Sequence, residues 1–569
     1  MAFQLSPGVN VSEIDLTTIV PAVGTSEGAF AGRFVWGPIM EVTTISDEVR
    51  LAERFGKPDA NTFKEFFSAA NFLAYGNNLK VVRAANTSVA RNASGGDAGG
   101  TGTEVVLIKN KEQYEIDYFD LSANANVGIF SARYAGELGN SLKVGLFSDS
   151  SNSTSFGAWT YEAEFDGTPG TSSFASQNAG ANDEMHIIVI DEDGKFTGTS
   201  GTVLEKFAYV SKGSDAKNDD GSSNYYVNVI NERSQYVYVM NHGANGSNWG
   251  TPVSNTTFVA GDKSYTASLA GGLDGAPADG DIILAYDKFV NPEEVDVSLI
   301  VTGAASQTVS EHIVDNIAES RKDCVVFISP EYSDVVNNAG GETTAITSYR
   351  NQFNSSSYAF MDSGWKYQFD KYNNVYRWVP LNGDIAGLCV RTDTERDPWF
   401  SPAGFNRGRI KNVVKLSWNP KKADRDDLYK IGVNSVCTFP GEGVVLFGDK
   451  TMLAKPSAFD RINVRRLFIV LEKAIARASR YSLFELNDEF TRAQFVSLIE
   501  PFLRDVQGRR GVYDFRVVCD ESNNTPEVID RNEFIGDIYI KPARSINFIQ
   551  LNFVAVRTGV AFDEIVGRF

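Results

Sequence analysis

The chain has 569 residues, 42% of them hydrophobic, and a formal net charge of −19, which suits several soluble domains, each with its own core. No run of about 18 apolar residues occurs, which argues against a membrane-spanning helix, and an acidic body repels phosphate, which disfavours nucleic acid as a direct partner. Cys324, Cys389, Cys437 and Cys519 form no CxxC pair and only three histidines are present, so neither a disulfide framework nor a His-based metal or catalytic site is expected.

The opening MAFQLSPGVN lacks the charged-then-apolar start of a signal peptide, so assembly in a cytoplasm is expected. Residues 1–20 make a Pro7-Gly8 turn and continue as an extended segment with Val9, Val11 and Glu13 on one side. A lone terminal strand needs a sheet to join, in its own chain or in another. GTSEGAFAGRFVWGP reads as a strand, and the run TTISDEVRLAERFGKP as a helix capped by Ser46, with Val49, Ala52 and Phe55 inward. A second helix follows, with Phe63, Phe66, Phe67, Ala70 and Leu73 on one face, and then the short strand LKVVRA. This alternation opens an α/β layer.

From Thr87 the composition turns to Gly, Ser, Asn and Asp, and HIIVID, YYVNVI and QYVYVM are the clearest strands. Residues 93–280 are therefore expected to form one or two β-rich insertions. The α/β pattern resumes with the strand VDVSLIVTG, a helix from Thr308 to Arg321 with a Thr308/Glu311 capping box, and the strand CVVFISP, a βαβ unit. An aromatic, turn-rich stretch then runs to about residue 420. The expected fold is a multidomain α+β / α/β chain. Its discontinuous α/β core covers 21–92 with 281–420, and a C-terminal helix-plus-sheet domain covers 421–554.

In that last domain Ile462, Leu467, Phe468, Leu471, Ile475 and Ala478 mark one helix face, while Arg461, Arg465, Arg466, Lys473, Arg477 and Arg480 give the helix a basic face. From Phe459 to Phe569 there are 16 Lys+Arg against 16 Asp+Glu, so the acidity of the chain lies in residues 1–458. A basic helix on a neutral domain suits an acidic protein partner. A second helical stretch, Thr491 to Val506, and alternating runs around Pro526 and Pro542 complete two helices on a small sheet.

Motifs of chemistry are weak. GTSEG at 24–28 matches the nucleophile elbow with Ser26 as nucleophile, but a strand follows where the elbow needs a helix. GVVLFGDKT at 443–451 has the glycine separation of a phosphate loop, yet Asp449 puts a carboxylate where phosphate oxygens would lie, so strand and turn are expected. DEDG at 191–194 and NDDG at 218–221 read as hairpin turns more readily than as calcium loops. The βαβ unit lacks GxGxxG after its first strand.

The phrases SPGVNVSEID, TISDEVRLAERFG, SLAGGLDG, YRWVPLNGDIAGLCVRTD, SPAGFNRG, FGDKT, FDRINVRRLF, YSLFELNDEFTR and VVCDESNNTPEVIDRNEFIGDIYIKPARSINFIQLNF closely resemble the tail sheath proteins of contractile-tailed bacteriophages, in their T-even-like branch. The match keeps the same order over most of 1–92 and 268–569, whereas 93–267 match poorly. The resemblance implies a virion structural subunit with no catalytic, cofactor or metal residues, assembled in the host cytoplasm as stacked six-subunit rings around a tail tube. Implied partners are further copies of the chain, the tube protein, and baseplate and terminator proteins. It further implies linking arms at 1–20, with Val9, Val11 and Ile14, and at 555–569, with Val560, Phe562 and Ile565. The C-terminal domain, with Arg461, Arg465, Arg466, Lys473, Arg477 and Arg480, would face the tube. Two other readings stand beside it: a cytoplasmic α/β hydrolase or dinucleotide enzyme, and the sheath of a related bacteriocin or secretion device.

Overall fold

A computed structural model describes residues 24–95, 106–124, 127–243, 246–261 and 263–551. Its central layer grows from short apolar strands. β1 (Gly28–Gly32) is buried at every position, and a Cβ at Gly28 would lie 2.5 Å from the Phe72 ring, so glycine is what lets the Phe63–Leu73 helix close onto the strand. β2 (Thr43–Ile45) pairs antiparallel with β3 (Leu79–Arg83), which runs parallel to β1. The helix after β2, Glu48–Phe55, buries Leu51 and Phe55 and leaves Val49 exposed. Its cap is Asp47, whose carboxylate accepts from Arg50 N at 2.9 Å, while Ser46 only donates to that carboxylate.

Seven strands follow in two small antiparallel sheets. β4 (Asn92–Gly95), β5 (Phe130–Ala135) and β9 (Val237–Val239) form one. β6 (Leu142–Phe147), β7 (Glu184–Asp191), β8 (Thr202–Ser211) and β10 (Ser264–Ser268) form the other, in the order β10-β6-β7-β8. HIIVID lies in β7 and QYVYVM holds β9, but YYVNVI is not a strand: Tyr226–Arg233 is a helix. Long-range partners override its β-rich composition. Asn231 donates to the Tyr114 hydroxyl at 2.8 Å and accepts from Val239 N at 2.9 Å, contacts that a helical turn presents on one side.

The chain then returns to the central layer. β11 (Leu299–Val301) and β12 (Val325–Ile328) are parallel and joined through the helical stretch from Gln307 to Arg321, the expected βαβ unit. That stretch is capped by Ser306, which accepts from Val309 N, rather than by Thr308, and it widens to π-type turns over Ile313–Ala318. β13 (Ala359–Asp362) continues the layer. β14 (Trp365–Asp370), β15 (Val375–Pro380) and β16 (Lys415–Leu416) form a separate three-stranded sheet. β17 (Val433–Phe439) runs parallel to β13 and β18 (Gly443–Phe447) antiparallel to β17, closing the order β18-β17-β13-β12-β11-β1-β3-β2.

This moves one boundary. Residues 421–452 belong with the central layer, because β17 and β18 complete its sheet and Leu428, Val433, Leu446 and Met452 sit in its core. The C-terminal module begins with the helix Ile462–Ser479 and adds the helix Glu489–Gly508 and the hairpin of β19 (Val512–Val518) with β20 (Asp537–Pro542). Leu467, Leu471, Phe495, Ile499, Leu503 and Val512 form its core.

Candidate functional site

The helix Ile462–Ser479 lies where the central layer meets the C-terminal module, and it feeds both cores. Ile462 and Ile469 pack into the central core, Leu467 and Leu471 into the C-terminal one. At 3.6 residues per turn, Arg466 and Lys473 fall within about 40° of the Ile462–Ile469 stripe. Two of the expected solvent-facing cations therefore point at the central layer.

Arg466 is almost fully buried and donates to Asp393 Oδ2 at 2.5 Å, while Thr25 Oγ donates to the same oxygen at 2.7 Å. Burial pushes the Asp393 carboxyl up, against the pull of Arg466. One turn pair further on, Lys473 Nζ donates to Asp296 Oδ1 at 2.7 Å, to the Val297 carbonyl at 3.0 Å and to Ser298 Oγ at 3.1 Å. Burial works against ionising Asp296, yet Lys473, Arg477 and Lys80 hold its carboxyl below its ordinary value. The Arg465 guanidinium stands 3.9 Å from the Phe459 ring centre and 4.3 Å from that of Tyr358, and Arg461 Nε lies 3.5 Å from Asp449 Oδ1.

The single exposed basic face is thus corrected. Arg465, Arg466, Lys473 and Arg461 clamp the module onto the rest of the chain, because a helix shared by two cores has little free surface to offer. Arg477 and Arg480 remain exposed, on the wall of an open groove of about 460 Å³ that also holds Glu293, Glu294, Lys322 and Glu472. Its charges alternate in sign, which is the chemistry of ion pairing.

What the module does expose is apolar. Tyr481, Leu483, Phe484 and Leu486 between its two helices, and Phe490 in the first turn of the second, all project into solvent. Phe484 is fully exposed at φ 69°, a left-handed backbone that bulky residues seldom adopt. The sequence signal was YSLFELN itself, four large apolar residues in seven with neither helix nor strand period, between two helices. β19 and β20 add exposed Tyr513 and Tyr539, and among the described residues their two-stranded sheet has both outer edges unpaired. The arm residues Val9, Val11, Ile14, Val560, Phe562 and Ile565, and the connections at 15–22 and 553–560, lie outside the described residues.

Ser26 stands just before β1 and the chain runs on as a strand, so no strand-to-helix elbow forms. FGDKT starts on the last residue of β18 and runs on without a helix, Lys450 bridging antiparallel to Arg461. DEDG closes the β7–β8 hairpin, Asp191 accepting from Phe196 N and Thr197 N, and NDDG is a turn closed by Gly221 N on the Asn218 carbonyl. All four cysteines are free and buried. A buried pair went unread in the sequence: Lys366 Nζ donates to Asp384 Oδ1 at 2.9 Å with Tyr75 on the same oxygen, and no local pattern marks residues so far apart as partners. Among the described residues no helix is long and apolar enough to cross a membrane.

Comparison with known proteins adds an independent line. The profile of the phage tail sheath protein central domain matches residues 275–452, and that of the phage tail sheath C-terminal domain matches residues 454–555. The tail sheath protein of Enterobacteria phage T4 is 35% identical over 99% of this chain and 99% of its own length. That of Vibrio phage KVP40 is 34% identical over 99% and 100%, across an alignment of 691 positions that exceeds the 569 residues of this chain, so the relative carries additional segments. A crystal structure of a sheath tail protein from Listeria innocua shares the fold at a TM-score of 0.51, with 11% identity over 91% of this chain and 96% of that one.

Proposed function

The chain belongs to the tail sheath proteins of contractile-tailed bacteriophages, and from that premise we propose that it polymerises as stacked six-subunit rings around a tail tube, whose passage through the host envelope its contraction drives. Identity near one third over essentially the whole of two phage sheath proteins carries this reading. In it the protein resides in the virion, is assembled in the host cytoplasm, performs no catalysis, and meets baseplate and terminator proteins at the ends of the sheath.

The C-terminal module faces the tube. Burying an apolar side chain is worth about 1.5–3 kcal/mol, whereas an exposed ion pair contributes about 0.2–1 kcal/mol. The knuckle of Tyr481, Leu483, Phe484, Leu486 and Phe490 therefore outweighs Arg477 and Arg480 as the tube contact, and the two arginines set its polar rim. The β19–β20 hairpin supports strand exchange, since an isolated two-stranded sheet is marginal and open edges invite further strands. Residues 1–20 and 555–569 of neighbouring subunits supply those strands.

Contraction draws on new contacts between subunits, with the domains moving as rigid bodies. Purified extended tails treated with mild denaturant or heat are expected to contract without nucleotide. A strict requirement for ATP overturns this mechanism.

A further inference from the structure

Asp449, two residues past β18, gathers several distant stretches of chain onto one carboxylate whose side chain is 3% exposed. Its Oδ2 accepts from Ser401 Oγ at 3.1 Å and from Ser545 Oγ at 2.8 Å. Its Oδ1 accepts from Asn547 Nδ2 at 2.8 Å and from the Tyr429 hydroxyl at 3.3 Å, beside Arg461 Nε. The backbone carbonyl of Asp449 accepts from Ile462 N at 2.9 Å, at the start of the shared helix, and Asn547 Nδ2 also donates to the Tyr429 hydroxyl at 3.2 Å.

Two of these partners come from beyond the last strand. Residues 544–551 carry no helix or strand. Ser545 and Asn547 turn in to Asp449, whereas Ile546 and Phe548 turn out and are 82% and 83% exposed. Ile546, Phe548, Ile549 and Leu551 are all exposed, so polar contacts, those to Asp449 among them, hold this strap.

We propose that Asp449 is a positioning residue for assembly: through Ser545 and Asn547 it latches the strap that leads into the C-terminal arm, so that residues 544–551 sit at the same place on every subunit. This rests on the reading that 555–569 link subunits. Fixing the root raises the effective concentration of the arm at its neighbour and removes ordering cost that assembly would otherwise meet. The GVVLFGDKT run, which has the glycine separation of a phosphate loop, thereby acquires a mechanical role.

The test uses the full-length chain. Ser545→Ala combined with Asn547→Ala removes only the arm-side bonds, and Asp449→Ala removes them all. A hydrogen bond to a charged group is worth about a tenfold shift or more in an opening equilibrium. Trypsin should therefore cut after the exposed Arg544 about 10–100-fold faster in both variants than in wild type, where cleavage follows the open fraction. At matched concentration both should lose helical polymer, and the Ser545/Asn547 variant should keep the wild-type melting temperature, which a merely structural role would not predict. A chain ending at Leu551 is the control. If it polymerises like wild type, the linking-arm reading itself fails. If it does not, and the Ser545/Asn547 variant still polymerises like wild type, the latch is overturned whatever trypsin reports.

Discussion

Replacing Arg466 by Met isolates what the shared helix does. The Arg466 and Asp393 side chains are 4% and 8% exposed, so the pair belongs with buried ion pairs, where loss of one partner costs about 3–5 kcal/mol, rather than with surface pairs worth under about 1 kcal/mol. In Arg466→Met, Asp393 keeps only the Thr25 hydroxyl, and its other oxygen already has no partner. The cost should appear as local opening of the Ile462–Ser479 helix, with amide exchange about two to three orders of magnitude faster at pH 7. The sign with pH follows from Asp393. Burial pushes its carboxyl up, and without Arg466 only the Thr25 hydroxyl opposes that, so the folded variant shifts further towards the protonated form. The deficit should therefore be largest at high pH and shrink as pH falls towards the raised value. Adding Asp393→Leu should restore most of the protection. Helix exchange within about threefold of wild type at pH 7 would refute the clamp, since the pair would then be worth no more than a surface contact.

Asp362 is fully buried and burial lifts its carboxyl to about 8, so its folded form holds a proton that the unfolded chain gives up near 4. Its contribution to stability should fall as pH rises from about 4 to about 8, and Asp362→Asn should flatten the denaturation midpoint of wild type across that window; parallel pH profiles would reject the protonated state. Phe484→Gly combined with Leu486→Ser should leave stability nearly unchanged, because relief of about 1 kcal/mol of left-handed strain offsets a similar gain in unfolded-state freedom. Tube binding by the same variant, measured by co-sedimentation, should drop at least tenfold, given about 1.5–3 kcal/mol per buried apolar side chain. Deleting residues 1–15 should leave a folded monomer with the wild-type melting temperature and abolish sheath formation, and full-length sheaths from the truncated chain would contradict the linking role.

Much of the architecture was legible because its signals are local. The parallel βαβ unit, the aromatic helix after Thr62 and the HIIVID strand each carry a strong period or an apolar run bounded by turns. Three things were not. β17 and β18 were assigned to the last domain because nothing in VNSVCTF states that its partner strand lies some seventy residues upstream; register is a long-range fact. YYVNVI has strand composition, yet it enters the helix Tyr226–Arg233, whose Asn231 bonds both Val239 and the distant Tyr114. The basic helix misled most. Charge opposite an apolar stripe normally means solvent, but here the second stripe of Ile462 and Ile469 lies among the cations, and Asp296 and Asp393 wait on the facing surface. The exposed knuckle around Phe484 was readable as an aperiodic apolar run, although its exposure required the fold.

The most direct measurement is electron microscopy of the purified full-length chain mixed with tail tubes, with a gold label on Arg504→Cys, an exposed position of the C-terminal module outside the tube-contacting knuckle. The expected images show helical arrays of open-ended length with the label on the inner wall against the tube. Discrete oligomers of fixed size, or arrays with the label on the outer surface, would contradict the assembly and orientation argued here.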